Sequence, residues 1–256
     1  INDYPRLSAG DTFTFSCHPG VSCLNKCCND VNIFLTPYDI LRLRKQLGMT
    51  SSDFLEKYTL LPIEENLRHP VVMLKMDDES LNCPFVGKDG CSVYGDRPWA
   101  CRMYPLGIAS PKDGEDNKDE EFYFLLNEEV CRGFEENQGK TWSVSGWMDD
   151  QGILEYEEMG RLFKDISLHE FFTKAKAIEP VKLEMFYMAC YDLDKFRDFL
   201  FESTFFKRFD VEEKRKERMR YDDVELLKFG FDWVRFSLFG EKTVKIVGEE
   251  KFKNRN

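Results

Sequence analysis

The chain contains, at residues 17–28, the stretch CHPGVSCLNKCC, in which four of the twelve residues are cysteine. Thiolate is a soft ligand, and four thiolates together can hold zinc or an iron–sulfur cluster. The adjacent pair Cys27 and Cys28 is the most informative part, because neighbouring side chains diverge in both helices and strands. One compact site does not easily take both sulfurs. The pair therefore indicates a site where chain segments meet, or two separate sites.

A second group of cysteines follows in the same half of the chain. The ninth, Cys190, stands alone in an apolar segment and is expected to be a small buried side chain. His18 follows the first cysteine directly, and we expect it to be an exposed loop histidine rather than a ligand. Eight cysteines remain as candidate metal ligands, at positions Cys17, Cys23, Cys27, Cys28, Cys83, Cys91, Cys101 and Cys131.

Three interpretations of these cysteines compete. Zinc usually takes a Cys-x2–4-Cys pair, and Cys23 and Cys27 provide one, but the second group has no such pair. An iron–sulfur cluster also takes four thiolates and tolerates ligands from scattered loops, so it is the leading interpretation and zinc is the alternative. Disulfides are disfavoured, because clustered cysteines in a cytosolic chain more often bind metal. The spacing leaves open which four cysteines belong together.

Two arginines, Arg97 and Arg102, flank Cys101 in the sequence. A site of four thiolates keeps a net negative charge, which nearby guanidinium groups would offset. We therefore expect both arginines to lie beside the metal site and contribute to binding the cofactor. The alternative is that they form ordinary ion pairs at the surface.

Composition limits the classes of partner. The 256 residues include 23 Phe, 10 Tyr and 4 Trp, enough apolar side chains for a core without disulfides. With 36 basic and 47 acidic residues, the net charge of −11 disfavours nucleic acid and anionic membranes as partners. No apolar run reaches the roughly 18 residues of a membrane span. Because Ile1–Gly10 also lacks the apolar core of a signal peptide, we expect a cytoplasmic protein.

The order of predicted elements indicates an α+β fold. Residues 1–140 are predicted to form a cysteine-rich, loop-heavy metal domain with a few short strands, and residues 141–256 a mainly α-helical region packed on it. In the first part, Thr36, Pro37 and Asp39 are typical of a helix start, and Gly48 of its end. A second helix is predicted at Ser52–Tyr58, with Thr50 or Ser51 as its cap.

Other segments complete this prediction. Strands are expected at Val31–Leu35, Val71–Met76, Leu81–Phe85 and Phe122–Leu126, with a hairpin that joins Cys83–Phe85 to Gly90–Tyr94. Helical apolar spacing is present in Met148–Lys164, Glu179–Cys190, Leu193–Phe206 and Asp222–Leu238. The helix pair within 36–58 could suggest a DNA-binding unit. The acidic residues of its second helix and the net charge argue against that.

The order of motifs resembles that of a known family. Cys27-Cys28, then Leu35-Thr36-Pro37-Tyr38-Asp39-Ile40, Cys83-Pro84-Phe85, Gly90-Cys91-Ser92-Val93-Tyr94 and Cys101-Arg102…Tyr104-Pro105 are similar to the bacterial YkgJ-type cysteine-cluster proteins, over roughly residues 15–135. The resemblance implies chelation of zinc or iron by the clustered cysteines. The family also looks related to flagellin lysine N-methylase. That relation implies iron–sulfur-dependent methyl transfer to a protein or peptide side chain, with electron transfer or a structural zinc module as the alternatives.

Overall fold

The computed structural model describes residues 5–62, 69–109, 122–135, 139–174 and 178–248. By its internal contacts the chain divides into two compact units, each made of two segments. Unit 1 combines Ile1–Ile33 with Leu74–Glu157, and unit 2 combines Phe34–Met73 with Glu158–Asn256. All eight clustered cysteines fall in unit 1, and Cys190 falls in unit 2.

Helices make up much of the described chain. In chain order they are α1 Pro37–Gln46, α2 Ser51–Tyr58, α3 Trp99–Met103, α4 Val144–Asp150, α5 Ile153–Ser167, α6 Glu170–Lys174, α7 Pro180–Cys190, α8 Leu193–Glu202, α9 Phe205–Arg208, α10 Glu213–Tyr221 and α11 Asp223–Phe239.

The strands are short. They are β1 Thr12–Phe15, β2 Phe34–Leu35, β3 Thr59–Leu60, β4 Val72–Leu74, β5 Val86–Gly87, β6 Gly90–Cys91, β7 Leu106–Ala109, β8 Phe122–Leu125, β9 Lys140–Ser143, β10 Phe209–Asp210 and β11 Lys245–Ile246.

Unit 1 is built from short antiparallel pairs around one apolar cluster. Strand β1 pairs with β9, β5 with β6, and β7 with β8. Alternate residues of β1 point inward, so that Phe13 and Phe15 pack edge-on against Trp147 of α4. The buried cluster is completed by Met103, Leu106, Val144, Met148 and Ile153. Strand β1 is therefore anchored just before Cys17.

Unit 2 is mainly helical. Helix α11 packs on α1, α7, α8 and α10, and the core between them is rich in phenylalanine, with Phe186, Phe196 and Phe229 almost fully buried. A small sheet in the order β2-β4-β3 and the pair β10-β11 complete the strands that involve this unit. The abundant aromatic residues of the sequence therefore serve as core, as composition predicted.

The predicted start of α1 is confirmed in detail. The Thr36 hydroxyl accepts from the Asp39 N–H at 3.1 Å, and the Asp39 carboxylate accepts from the Thr36 N–H at 2.7 Å. Gly48 follows the helix with a φ of 64°, a conformation that favours glycine. Thr50 caps α2 by accepting from the Asp53 N–H. Local capping chemistry thus places two helix starts where the sequence predicted them.

Some predicted boundaries are wrong. The single helix expected at Met148–Lys164 is interrupted at Gly152, whose φ of 63° stops α4 before α5 begins. The segment Leu193–Phe206 is likewise divided into α8 and α9. Leu81–Phe85 forms only an isolated bridge at Asn82, and the hairpin lies later, at β5-β6.

At the level of fold class, the α+β prediction is confirmed, since helices and short strands both form. The division at residue 140 stays a prediction. No helix in the part of the chain that the structure describes combines the length and apolarity needed to cross a membrane.

Candidate metal centre

Four of the eight candidate cysteines line one pocket in unit 1. Cys17, Cys23, Cys27 and Cys131 surround it, and Phe15 and Tyr104 form its apolar wall. We call these four cysteines the pocket quartet. The pocket is small, about 30 Å³, which is roughly the space of two water molecules. Ligands that are more than a hundred residues apart in sequence are thus gathered around a single cavity.

Each cysteine of the pocket quartet is placed by local backbone structure. Cys17 follows β1, where the N–H of Ser16 donates to the carbonyl of Gly133 at 2.9 Å. Gly133 is required at this crossing, because a Cβ there would lie 2.5 Å from the Phe15 ring and 2.7 Å from the Ser16 carbonyl oxygen. This close approach of two backbone segments brings the loop that carries Cys131 next to Cys17.

Backbone N–H groups point at two of these sulfurs. The N–H of Arg132 donates to the Sγ of Cys23 at 3.1 Å, and the N–H of Gly133 donates to the Sγ of Cys131 at 3.4 Å. Such donors stabilise negative charge on sulfur, and they commonly surround thiolate ligands of metals. The loop 131–133 therefore supplies one ligand and two compensating donors.

Electrostatics indicates how near these thiols are to each other. Partial desolvation raises the pKa of Cys17, and the neighbouring thiols of Cys27, Cys23 and Cys131 raise it further, whereas Arg97 lowers it. Like charges that raise one another's pKa are close in space. A bound cation would relieve this mutual repulsion, because it favours the deprotonated form of every thiol at once.

The remaining four cysteines are connected by a backbone hydrogen bond and by electrostatic effects between neighbouring thiols. The N–H of Cys83 donates to the carbonyl of Cys28 at 2.7 Å, which joins their backbones directly. The hydrogen bond to the Cys27 thiol is the largest cause that raises the pKa of Cys28, and burial is the next. The nearby thiols of Cys83 and Cys101 raise this pKa further. Burial and, more weakly, the Cys91 thiol raise the pKa of Cys83. We call Cys28, Cys83, Cys91 and Cys101 the hairpin quartet, because Cys91 lies on the β5-β6 hairpin.

The adjacent pair Cys27 and Cys28 is divided between the two quartets. Both lie in a single turn of 3-10 helix, Lys26–Cys28, which follows Asn25 in a left-handed conformation with a φ of 67°. The side chain of Asn25 donates to the carbonyl of Gly87 at 3.1 Å and so fixes the turn to the hairpin. The predicted divergence of these two side chains is wrong, because their thiols are hydrogen-bonded to each other. This bond lowers the pKa of Cys27 and raises that of Cys28, so the two quartets meet at this pair.

The donor set fits a soft metal, but the side chains do not form a finished coordination shell. All nine cysteines are free thiols. Across the described ranges, no group of three or more His, Cys, Asp or Glu side chains could hold a metal ion as they are oriented. Cysteine has staggered χ1 rotamers about 120° apart, so rotation of a side chain redirects its sulfur without moving the backbone. A change of rotamer can therefore alter how closely these sulfurs approach one another.

The two arginines expected beside the site are held differently. Arg97 donates to the carbonyl of Tyr94 at 2.9 Å and to the side chain of Gln151, and its charge lowers the pKa of Cys17. Arg102 donates to the backbone carbonyls of Arg97 and Gln151 at 2.9 and 2.6 Å. Arg97 thus reaches the pocket quartet electrostatically, while the hydrogen bonds of Arg102 brace the backbone. A role for both in offsetting the charge of a metal centre stays a prediction.

Tyr104 is a site residue that sequence reasoning missed. It lines the pocket of the four thiols, directly after α3, which carries Cys101. Its position three residues after a candidate ligand was the available signal. His18, by contrast, is exposed and its Nδ1 accepts from the Gly20 N–H at 3.0 Å, as expected for a loop histidine.

Comparison with known proteins agrees with this site. Residues 16–138 match the model of the CxxCxxCC family, described as a "putative zinc- or iron-chelating domain". No curated protein and no solved structure is significantly similar to the chain. The matched range contains all eight clustered cysteines. Residues 16–138, just under half of the chain, are therefore similar to the zinc- or iron-chelating domains of the CxxCxxCC family.

Proposed function

We propose that this protein binds iron through its clustered thiolates, as an iron–sulfur centre of the four-iron type ligated by the pocket quartet. The observation that carries the proposal is the convergence of four thiols on one pocket, with two backbone N–H groups on their sulfurs. Hydrogen bonds to sulfur and thiolates drawn from distant loops are both typical of protein iron–sulfur sites. The hairpin quartet would hold a second metal or surround the first.

The exposure of the pocket quartet supports a reactive role rather than a purely structural one. Cys17 and Cys27 are exposed, so a centre held there would be open to solvent on one side. Such a centre could exchange electrons with a partner or act on a side chain of a protein or peptide, with methyl transfer as the first candidate by family resemblance. We place this activity in the cytoplasm, where clustered thiols stay reduced.

A structural zinc site is the second candidate, and one observation favours it. The pocket that these four cysteines line has a volume of about 30 Å³, which suits a single ion better than a larger cluster. Zinc in a closed site of four thiolates would contribute folding energy and make this a binding or scaffold module.

Metal and sulfide analysis of anaerobically purified protein distinguishes the iron–sulfur centre from the structural zinc site. Iron with acid-labile sulfide, and broad visible absorbance that dithionite bleaches, is the expected result. Colourless protein with stoichiometric zinc would favour the structural module instead. Protein that contains neither metal, even after anaerobic reconstitution with each, would refute both.

The reactive role needs its own assay. Iron-loaded protein would be incubated under reducing conditions with isotopically labelled S-adenosylmethionine and a lysine-containing protein fraction. Label on protein side chains would support methyl transfer. Reversible reduction of the centre without any transfer of label would favour electron transfer.

A further inference from the structure

Tyr104 lines the same pocket as the four cysteines of the pocket quartet. Its ring packs edge-on against Phe15, with 5.9 Å between ring centroids, so the orientation of the hydroxyl is restricted by the core. Among the described residues, its oxygen is buried and has no hydrogen-bond partner that meets ordinary geometry. A buried hydroxyl without a partner loses the hydrogen bonds that it would make to water and so destabilises the fold. Such a group therefore calls for a functional explanation.

The side chain of Cys131 is the natural acceptor. Cys131 and Tyr104 line the same pocket. A phenol hydroxyl is neutral at ordinary pH and can donate a hydrogen bond to an acceptor beside it. A neutral thiol is a weak acceptor, which agrees with the unsatisfied hydroxyl. An ionised sulfur is a much stronger acceptor, because hydrogen bonds to charged groups are shorter and stronger.

We propose that the Tyr104 hydroxyl donates a hydrogen bond to the Cys131 thiolate when the pocket quartet holds a metal, and that Tyr104 is a positioning residue of that centre. This inference rests on the proposed function. The bond would complete a set of donors around the quartet, together with the N–H groups of Arg132 and Gly133. It would fix the rotamer of Cys131 and withdraw negative charge from its sulfur.

Two measurable consequences follow. Groups that orient a metal ligand typically contribute about 10–100-fold to metal affinity, so loss of the hydroxyl should weaken binding by that factor. If the metal is iron, loss of a hydrogen bond to a ligand sulfur should also lower the reduction potential, since the oxidised centre becomes easier to form.

The test compares Tyr104→Phe with Tyr156→Phe. Tyr156 is a buried tyrosine of unit 1 whose ring stacks on Arg102 and does not line the pocket. Tyr156→Phe is therefore the matched control, because it also removes one buried hydroxyl from this unit. Affinity would be measured by competition with a chelator for zinc and, separately, for iron. The expected result is about a tenfold or greater loss for Tyr104→Phe and wild-type affinity for Tyr156→Phe.

A second variant keeps the test decisive if Tyr104→Phe does not fold. Site-specific 3-fluorotyrosine at position 104 keeps the ring but makes its hydroxyl a stronger donor, so affinity should rise rather than fall. Wild-type affinity in both position-104 variants would overturn this inference while leaving metal binding intact. Absence of metal binding in the wild-type protein would overturn both proposals.

Discussion

At the scale of single residues, Asp194 is the clearest case of a carboxylate held by its surroundings. It accepts from the N–H of Ser51 at 2.6 Å and lies 3.0 Å from Arg197 and 3.5 Å from Arg44. Burial alone would raise the pKa of Asp194, but the Ser51 hydrogen bonds and the Arg44 charge outweigh it and hold this pKa below its ordinary value. The ionised form is therefore stabilised in the folded state.

This lowered pKa predicts the sign of a pH effect. A group with a lower pKa in the folded state stabilises the fold above its unfolded pKa, which is about 3.9 for Asp, and loses that effect as pH falls further. Asp194→Asn should therefore lower the free energy of unfolding by about 1–3 kcal/mol near neutral pH. The deficit relative to wild type should shrink as pH falls below about 4.

Urea unfolding at a series of pH values would check this expectation. Asp198→Asn, at an exposed position on the same helix, is the matched control and should follow the pH dependence of the wild type. An Asp194→Asn deficit that stays constant down to about pH 2 would contradict the assignment.

Cys190 gives a second prediction at this scale. It is fully buried at the end of α7, and burial raises its pKa, so it is a neutral, inert thiol. Cys190→Ser would bury a hydroxyl in its place and should cost about 1–3 kcal/mol of stability, with metal content unchanged. Urea unfolding measures the loss of stability, and metal analysis measures the metal content. A loss of metal in Cys190→Ser would mean that Cys190 is also a ligand.

At the scale of elements, the approach of α11 to α7 depends on Gly230. A Cβ added there would lie 2.2 Å from the carbonyl oxygen of Ala189, a backbone atom that cannot swing away. Gly160 on α5 is the opposite case, because a Cβ there meets nothing within 4 Å. One glycine is required by packing, and the other only weakens its helix.

Replacement of these two glycines by alanine should change the free energy of unfolding in opposite directions. Gly230→Ala should destabilise unit 2 by about 1–3 kcal/mol or more, because one helix must move. Gly160→Ala should stabilise it by about 0.5–1 kcal/mol through helix propensity. Thermal or urea unfolding of both variants tests the pair. Equal effects would mean that α11 and α7 are not in close contact at Gly230.

Elements were predictable from the sequence where local chemistry decides them. The capping box of Thr36 and Asp39 and the apolar stripe of α11 depend on residues close in the chain, and both predictions are confirmed. The interruption at Gly152 was missed, because an isolated glycine within an apolar pattern is compatible with a continuous helix. The pairing of β1 with β9 was not predicted either, since more than a hundred residues separate the strands.

At the scale of the whole molecule, the cysteines were predictable as a set but not as groups. Composition and spacing identified eight candidates. Their division depends on tertiary contacts, such as Ser16 to Gly133 and Cys28 to Cys83, which no spacing rule contains. Only the adjacency of Cys27 and Cys28 in the sequence indicated in advance that two groups were possible.

One ligand removed from each quartet tests this division. Cys131→Ser should abolish metal at the pocket quartet, and Cys91→Ser should abolish it at the hairpin quartet. If each quartet holds metal, either variant should retain about half of the wild-type metal at saturation, and the double variant none. Loss of all metal from either single variant would indicate one shared centre instead. Cys190→Ser serves as the control.

The division of neighbouring cysteines between two quartets has a thermodynamic consequence. Consecutive Cα atoms are about 3.8 Å apart, so ions held by Cys27 and Cys28 would be tethered through a single peptide unit. An ion bound to the sulfur of Cys27 would immobilise the backbone that also carries Cys28. Because this conformational entropy is lost when the first ion binds, binding of the second ion would not lose it again. Filling should then be cooperative, with a sigmoidal titration curve, and each centre should bind its metal more tightly when the other is occupied.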